Sequence, residues 1–137
     1  MSDLTIERDI DQITAQQLLD LYGAVGWNES GHRDVMNVQD ALNRSESIAY
    51  VRDGGKIVAF GRILTNGFYG YIHDVMTHPD YRRKGLASDI IEALMNFGRS
   101  RYPYVKVISA GGYEDFYKKF DMGTPKKESV FYKVFKK

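Results

Sequence analysis

Three cations and a glycine, Arg82-Arg83-Lys84-Gly85, stand directly before the most regular apolar stripe in the chain. Leu86, Ile90, Leu94 and Phe97 recur at helical spacing, and Ala87, Ile91 and Met95 widen the same face. The segment from Asp74 to Ala87 therefore reads as a strand, a short basic turn and the start of a long helix. A turn of this kind can hold an anion. The first amides of a helix have no internal partner, and the helix dipole places about half a positive charge there. Glycine lets the backbone approach a ligand closely. The combination makes a phosphate site, and the three cations would suit a diphosphate. It is not a Walker A loop, which needs a Lys-Ser/Thr pair, nor the dinucleotide fingerprint, which needs more than one glycine. On spacing alone, a solvated basic turn ahead of a core helix explains the same residues.

Two further groups carry chemistry. Tyr113, Phe116, Tyr117 and Phe120 lie at i, i+3, i+4 and i+7, one face of a short helix with phenol hydroxyls on it. His73 and Asp74 are adjacent titratable groups in a strand, where alternation puts them on opposite faces. The chain has no cysteine, which excludes a cysteine nucleophile, a thiolate zinc site and a disulfide framework.

The elements that must position these residues follow from pattern. The chain's 137 residues fit one domain over 1–137, with 43% hydrophobic content to form a core. Leu4 to Arg8 alternates as a short strand. Thr14 and Gln17 make a capping box ahead of Leu18, Leu21, Tyr22 and Val25, and Asp34 to Asn43 forms a second helix. Ser47 to Arg52, Lys56 to Leu64 and Phe68 to Thr77 form a meander with turns at Asp53-Gly54-Gly55 and Asn66-Gly67. The long helix runs from Gly85 to Arg101, followed by a strand from Val105 to Ser109, the Tyr113–Phe120 helix and a last strand from Ser129 to Phe135. The order β-α-α-β-β-β-α-β-α-β predicts an α/β (α+β) fold. Its sheet is mixed, twisted and mostly antiparallel, with one parallel crossover and helices on both faces.

Charge narrows the partners. The net charge is +1, yet residues 1–50 hold three basic against nine acidic side chains, and residues 116–137 hold seven lysines against two acids. The balance argues against a dedicated nucleic-acid binder. An acidic first third would favour a cationic acceptor, though a solvated face accounts for it equally. Met1 leads into no basic or apolar leader, and no apolar run reaches the length of a membrane span, so a cytoplasmic protein is expected.

The segment around Arg82, Gly85 and Ala87 resembles motif A of the GNAT acetyltransferase superfamily, whose core reads Arg/Gln-x-x-Gly-x-Gly/Ala. The preceding Val75-Met76-Thr77-His78-Pro79 resembles the family's strand, and Gly112 to Gly123, centred on Asp115-Phe116-Tyr117-Lys118-Lys119-Phe120, resembles its motif B. The likeness extends from Leu4 to the last strand. Leu21 to Trp27, Ala41 to Ser45 and Asp74-Val75 resemble a bacterial and plastid branch that includes arylalkylamine (serotonin-type) acetyltransferases.

The resemblance implies a reaction: an acetyl group moves from acetyl-coenzyme A to a primary amine, directly and within a ternary complex, with no metal. It implies that amides from Arg83 through Gly85, Leu86, Ala87 and Ser88 hold the coenzyme A diphosphate, with Arg82, Arg83 and Lys84 nearby. Val75 and Met76 offer backbone groups to the pantetheine arm and the acetyl carbonyl. Tyr117 falls on the tyrosine that protonates the departing thiolate. Asp74 is the preferred general base over His73. Trp27, Asn28 and His32 after the first helix, with Tyr71, are the candidate acceptor contacts; a core plug or solvated loop residues are the competing reading. Ala110 stands where many members carry an asparagine that touches pantetheine. The alternative function is a catalytically weak acyl-coenzyme A sensor or partner protein of the same fold. Families of this shape are commonly homodimers.

Overall fold

The structure, a computed structural model, describes residues 4–109, 112–124 and 127–135. Among these residues five strands, β1 (Ile6–Glu7), β2 (Ser47–Asp53), β3 (Lys56–Thr65), β4 (Gly70–Thr77) and β5 (Val105–Val107), lie in the sheet in chain order. The first four run antiparallel. β5 joins parallel to β4 in the register Gly70↔Val105 to Ile72↔Val107. That crossover is made by the long helix.

Among the described residues, four α-helices accompany the sheet: α1 (Ala15–Ala24), α2 (Val35–Arg44), α3 (Leu86–Arg99) and α4 (Glu114–Lys118). Local chemistry starts the first two. The Thr14 hydroxyl accepts from the Gln17 N–H while the Gln17 side chain accepts from the Thr14 N–H. Asp34 and Asn37 repeat the arrangement at α2. Each reciprocal cap satisfies two otherwise orphaned amides.

Two cores sandwich the sheet. Leu18, Leu21 and Tyr22 of α1, with Val38 and Leu42 of α2, cover Ile48, Tyr50, Phe60 and Met76. On the other face Leu86, Ile90, Ile91 and Leu94 of α3 cover Ala49, Val51, Ile63 and Ile72. The sheet thus carries helices on both faces, as the patterning predicts.

Two expectations fail. Ser129 to Phe135 forms no strand, and Val130, Phe131, Tyr132, Val134 and Phe135 are exposed. The segment has the β-branched and aromatic residues of a strand, but a strand exists only through bonds to a neighbour. Among the described residues nothing lies hydrogen-bonded beyond β5 in the sheet.

The second failure is alternation at His73 and Asp74. Phe60 faces Met76 while Arg62 faces His73, so Asp74 and Val75 together oppose Gly61: a β-bulge. Asp74 takes φ 57°, a left-handed conformation that costs a non-glycine residue about 1–3 kcal/mol. The extra residue cancels the alternation, and the Asp74 carboxylate reaches Arg62, the register partner of His73. Val75 packs instead into the α3 core. Glycine at 61 is dictated by the same crossing, since a Cβ there would stand 2.6 Å from Ile90 Cγ2 and 3.0 Å from Leu94 Cδ1.

Candidate active site

β4 outruns β5. Pairing ends at Ile72↔Val107, and the last bond runs from the Ile108 N–H to the Ile72 carbonyl. Below it the edge of β4 is open, and the bulge decides which of its groups face the opening. Gly70 and Ile72 turn their peptide groups toward β5. Past the bulge the His78 N–H bonds to the Val58 carbonyl, so His78 and, two residues back, Met76 turn theirs toward β3. The N–H and C=O of Val75 and Thr77 therefore face the gap. Of the two backbones expected to serve a ligand, Val75 is turned toward it. Met76 is not: its peptide groups point at Phe60, although the residue is among those that line the cavity.

That cavity has a volume of about 400 Å³ and runs from the α1–α2 loop to the start of α3. Val25 and Trp27 wall one end. Arg82, Arg83, Gly85, Leu86, Ala87 and Ser88 form the other. Tyr117, Phe116 and Ile108 close the side across from Val75.

The α3 end has free amides and cations that could hold an anion. Gly85 is the N-cap in the left-handed region, φ 76°, and no side chain caps the helix. The Asp89 N–H is the first to bond within the helix, to the Gly85 carbonyl. The amides of Leu86, Ala87 and Ser88 precede it and point out of the helix end. Arg83 is also left-handed, φ 65°, so the chain turns sharply on both sides of Lys84. Alternation of this kind gathers successive N–H groups into a concave nest. Arg82 and Arg83 line the cavity; Lys84 is exposed and does not. Tyr81 secures the approach. Its hydroxyl donates to Asp53 in the β2–β3 turn, and Lys56 lies 5.3 Å from its ring centroid.

Tyr117 is half-buried on α4, against Phe116 at 5.0 Å between ring centroids. Burial pushes its phenol above the ordinary 10.0, against an opposing hydrogen bond with Ser109. The hydroxyl keeps its proton at neutral pH and can donate it.

Asp74 lies outside the cavity lining. Its carboxylate accepts from Arg62 Nε at 2.7 Å, with 18% and 16% of the two side chains exposed. Tyr22, on the last turn of α1, donates to it as well. Burial first, and then the charge of Asp74, drives the Tyr22 phenol far above its usual range. Burial also lowers the His73 imidazole below 6.5, partly offset by Asp74.

The remaining acceptor candidates divide. Trp27 lines the cavity with 39% of its surface exposed. Asn28 is committed to its own loop, bonding the Arg33 backbone through both side-chain atoms. His32 shares a hydrogen bond with Ser30 at 2.6 Å. Tyr71 lies off the cavity lining, donating to the Tyr69 hydroxyl at 2.7 Å, and Tyr69 stacks on Tyr104. Ala110 falls outside the described residues. Sequence reasoning missed Val25, Ile108 and Tyr113, whose apolar or aromatic side chains look like ordinary packing residues until the cavity groups them.

Known proteins share this architecture. A GNAT-family acetyltransferase protein from Streptococcus pneumoniae superposes with a TM-score of 0.75 at 22% identity over 98% of each chain. Glucosamine-6-phosphate N-acetyltransferase from Arabidopsis thaliana gives 0.75 at 19% identity, over 96% of this chain and 99% of that one. An aminoglycoside acetyltransferase from an uncultured soil metagenomic sample, in complex with sisomicin, gives 0.73 at 21% over 97% of each. No curated protein sequence matches the chain. At these identities the superpositions speak to fold alone. Membership rests on the sequence profile of the Acetyltransferase (GNAT) family, which matches residues 12–121 and so spans both the β4 edge and the turn before α3. The chain belongs to the GNAT acetyltransferase family.

Proposed function

We propose that this protein transfers the acetyl group of acetyl-coenzyme A to a primary amine, in one step, with both substrates bound together. One observation carries the reading: a single cavity joins the uncapped start of α3 to Tyr117 along the open edge of β4. A diphosphate placed on the amides of Gly85 to Ser88, with Arg82 and Arg83 beside it, directs a thioester arm along Val75 toward Tyr117. The Val75 N–H donates to the thioester carbonyl, whose oxygen gains negative charge as the amine nitrogen attacks. The C–S bond then breaks, Tyr117 donates its proton to the departing sulfur, and the proton shed by the acylated nitrogen passes through water to restore the Tyr117 hydroxyl. A thiol with a pKa near 8.5 is a good leaving group, so alignment of the two reactants supplies much of the rate.

The acceptor enters past Trp27. That end of the cavity is apolar, and the charged side chains among its described lining residues, Arg82, Arg83 and Lys119, are all cationic. An amine on an apolar or aromatic body suits this wall better than a polycation, which supports the arylalkylamine reading. The cysteine-free chain is compatible with a reducing compartment, and the reading places the enzyme in the cytoplasm.

Thiol release from acetyl-coenzyme A, followed over a panel of arylalkylamines, polyamines, aminoglycosides and peptide amines, tests the proposal. Turnover with at least one amine is expected. Coenzyme A binding by calorimetry without turnover on any amine would leave a sensor of the same fold. Absence of binding, or unchanged binding in Arg83→Glu, would remove the reading altogether.

A further inference from the structure

The bulge is where this chain does something its sequence does not announce. A left-handed residue at the first bulge position is ordinarily glycine, yet position 74 is aspartate, φ 57°. Residues held in such a conformation persist when their surroundings over-determine them. Around Asp74 the surroundings come from three elements. Arg62 of β3 donates through Nε at 2.7 Å. The same guanidinium donates through Nη1 to the Ala41 carbonyl at 3.1 Å and lies 3.5 Å from Ser45 Oγ, both at the C-terminal end of α2. Tyr22 of α1, 2% exposed, donates to the carboxylate from its own side. Tyr22 is tied to the acceptor loop in turn: its carbonyl accepts from the Trp27 N–H at 2.9 Å, and the Arg33 guanidinium sits 4.4 Å above its ring.

The geometry assigns Arg62, Asp74 and Tyr22 as positioning residues: their contacts hold the β4 bulge in place, and the bulge turns the Val75 amide, rather than that of Met76, into the cleft. Without the extra residue, strand alternation would continue from Gly70 and Ile72, and the peptide groups of Asp74 and Met76 would face β5. Val75 would then donate to β3 instead of to the thioester carbonyl. Asp74 acts through backbone geometry, not as a proton acceptor. The role rests on the acetyltransferase reading, but the pin itself does not.

Three variants separate these roles. Asp74→Ala removes both partners of the carboxylate and leaves a Cβ in the left-handed region. Asp74→Gly relieves the conformation but leaves Arg62 uncompensated. Asp74→Gly with Arg62→Met relieves both. Asp74→Ala is expected to lower kcat about tenfold or more, the equivalent of about 1.4 kcal/mol of relaxed strain. Its affinity for coenzyme A, set by the distant α3 end, should stay within about twofold. The double variant should recover kcat to within about threefold of the parent, because glycine meets no penalty at positive φ. If Asp74 takes the proton from the amine, the alanine, glycine and double variants lose kcat alike, and the assignment is overturned. It is equally overturned if Asp74→Ala keeps full kcat.

A readout independent of turnover guards against failure of the functional reading or of one variant's folding. Amide hydrogen exchange at Met76, bonded to β3 through the bulge register, should speed up about tenfold or more in Asp74→Ala. It should remain slow in Asp74→Gly/Arg62→Met. A parent protein without acetyl transfer sinks the acetyltransferase reading. Unaltered exchange at Met76 in Asp74→Ala sinks the pin.

Discussion

Gly85 offers a measurement in which the cost of one methyl group must appear somewhere. Its backbone sits at φ 76°, ψ 12°, and a Cβ built there meets nothing within 4 Å. Gly85→Ala therefore has no clash to relieve, only the left-handed penalty of about 1–2 kcal/mol for an L-residue. If the free protein keeps the loop, the folded state carries that strain. The lower entropy of the unfolded alanine chain offsets about 0.4–1 kcal/mol of it. The melting temperature then falls by up to roughly 5 °C for a domain of this size. If the loop instead relaxes, the amides of Leu86 to Ser88 turn away, and coenzyme A must restore them on binding. Its dissociation constant then rises by about 5–30-fold. Calorimetric titration with coenzyme A, paired with a thermal melt, reads both routes. Asparagine tolerates the left-handed region, so Gly85→Asn should return most of whichever quantity was lost. An alanine variant that binds and melts like the parent, or an asparagine variant no better than alanine, would show that the turn does not present its amides in the conformation described.

Tyr117→Phe should lower kcat by roughly 100-fold or less, toward the low end of general acid effects because the thiolate leaves readily, with little change in coenzyme A affinity. Burial raises the Tyr117 phenol above 10.0, so the parent's kcat should decline only above that pH and the decline should vanish in the variant; a wild-type profile in Tyr117→Phe refutes the acid role. The half-buried His73, its imidazole lowered from 6.5 chiefly by burial, sets a stability dependence. The unfolded chain takes the proton first as pH falls, so stability present above 6.5 is lost below it. Melting curves from about pH 7 to about pH 5 should therefore fall less steeply in His73→Gln, and parallel curves would remove His73 from the account.

Local rules made much of the fold legible. The Thr14–Gln17 capping box, the Asp53-Gly54-Gly55 turn with Gly54 at φ 62°, and the apolar stripe of α3 each act within a few residues. The sharp turn before α3, with Gly85 at φ 76°, was legible for the same reason. Where the outcome depends on a distant neighbour, the pattern misleads. Ser129 to Phe135 has strand residues but no partner in the sheet among the described residues. Asn28 has the polar amide of a substrate contact, yet the Arg33 backbone five residues away consumes it. Asp74 read as one more residue of an alternating strand because nothing in its neighbours' identities signals positive φ. The reason for that conformation lies 12 residues upstream in Arg62 and on α1 in Tyr22.

The two ends of the proposed reaction path are coupled by one helix. α3 presents its uncapped amides at Leu86 to Ser88. One turn farther along, Ile90 presses the sheet at Gly61, the residue opposite the bulge, and Leu94 follows. The spacing from Leu86 to Ile90 is about 6 Å along the axis. Ile90 and Leu94 are both fully buried, so sliding the helix would open cavities costing about 2–5 kcal/mol per side chain. The start of α3 and the Val75 amide are thus fixed in one frame, with Gly61 permitting the close approach. On the opposite face, Arg62 ties the same bulge to the end of α2, and Tyr22 ties it to α1 and the loop that follows. A strand distorted by a single residue is in this way held from both sides. That explains how an aspartate can occupy a position whose backbone favours glycine: the contacts that offset its strain also tie together the elements at both ends of the cavity.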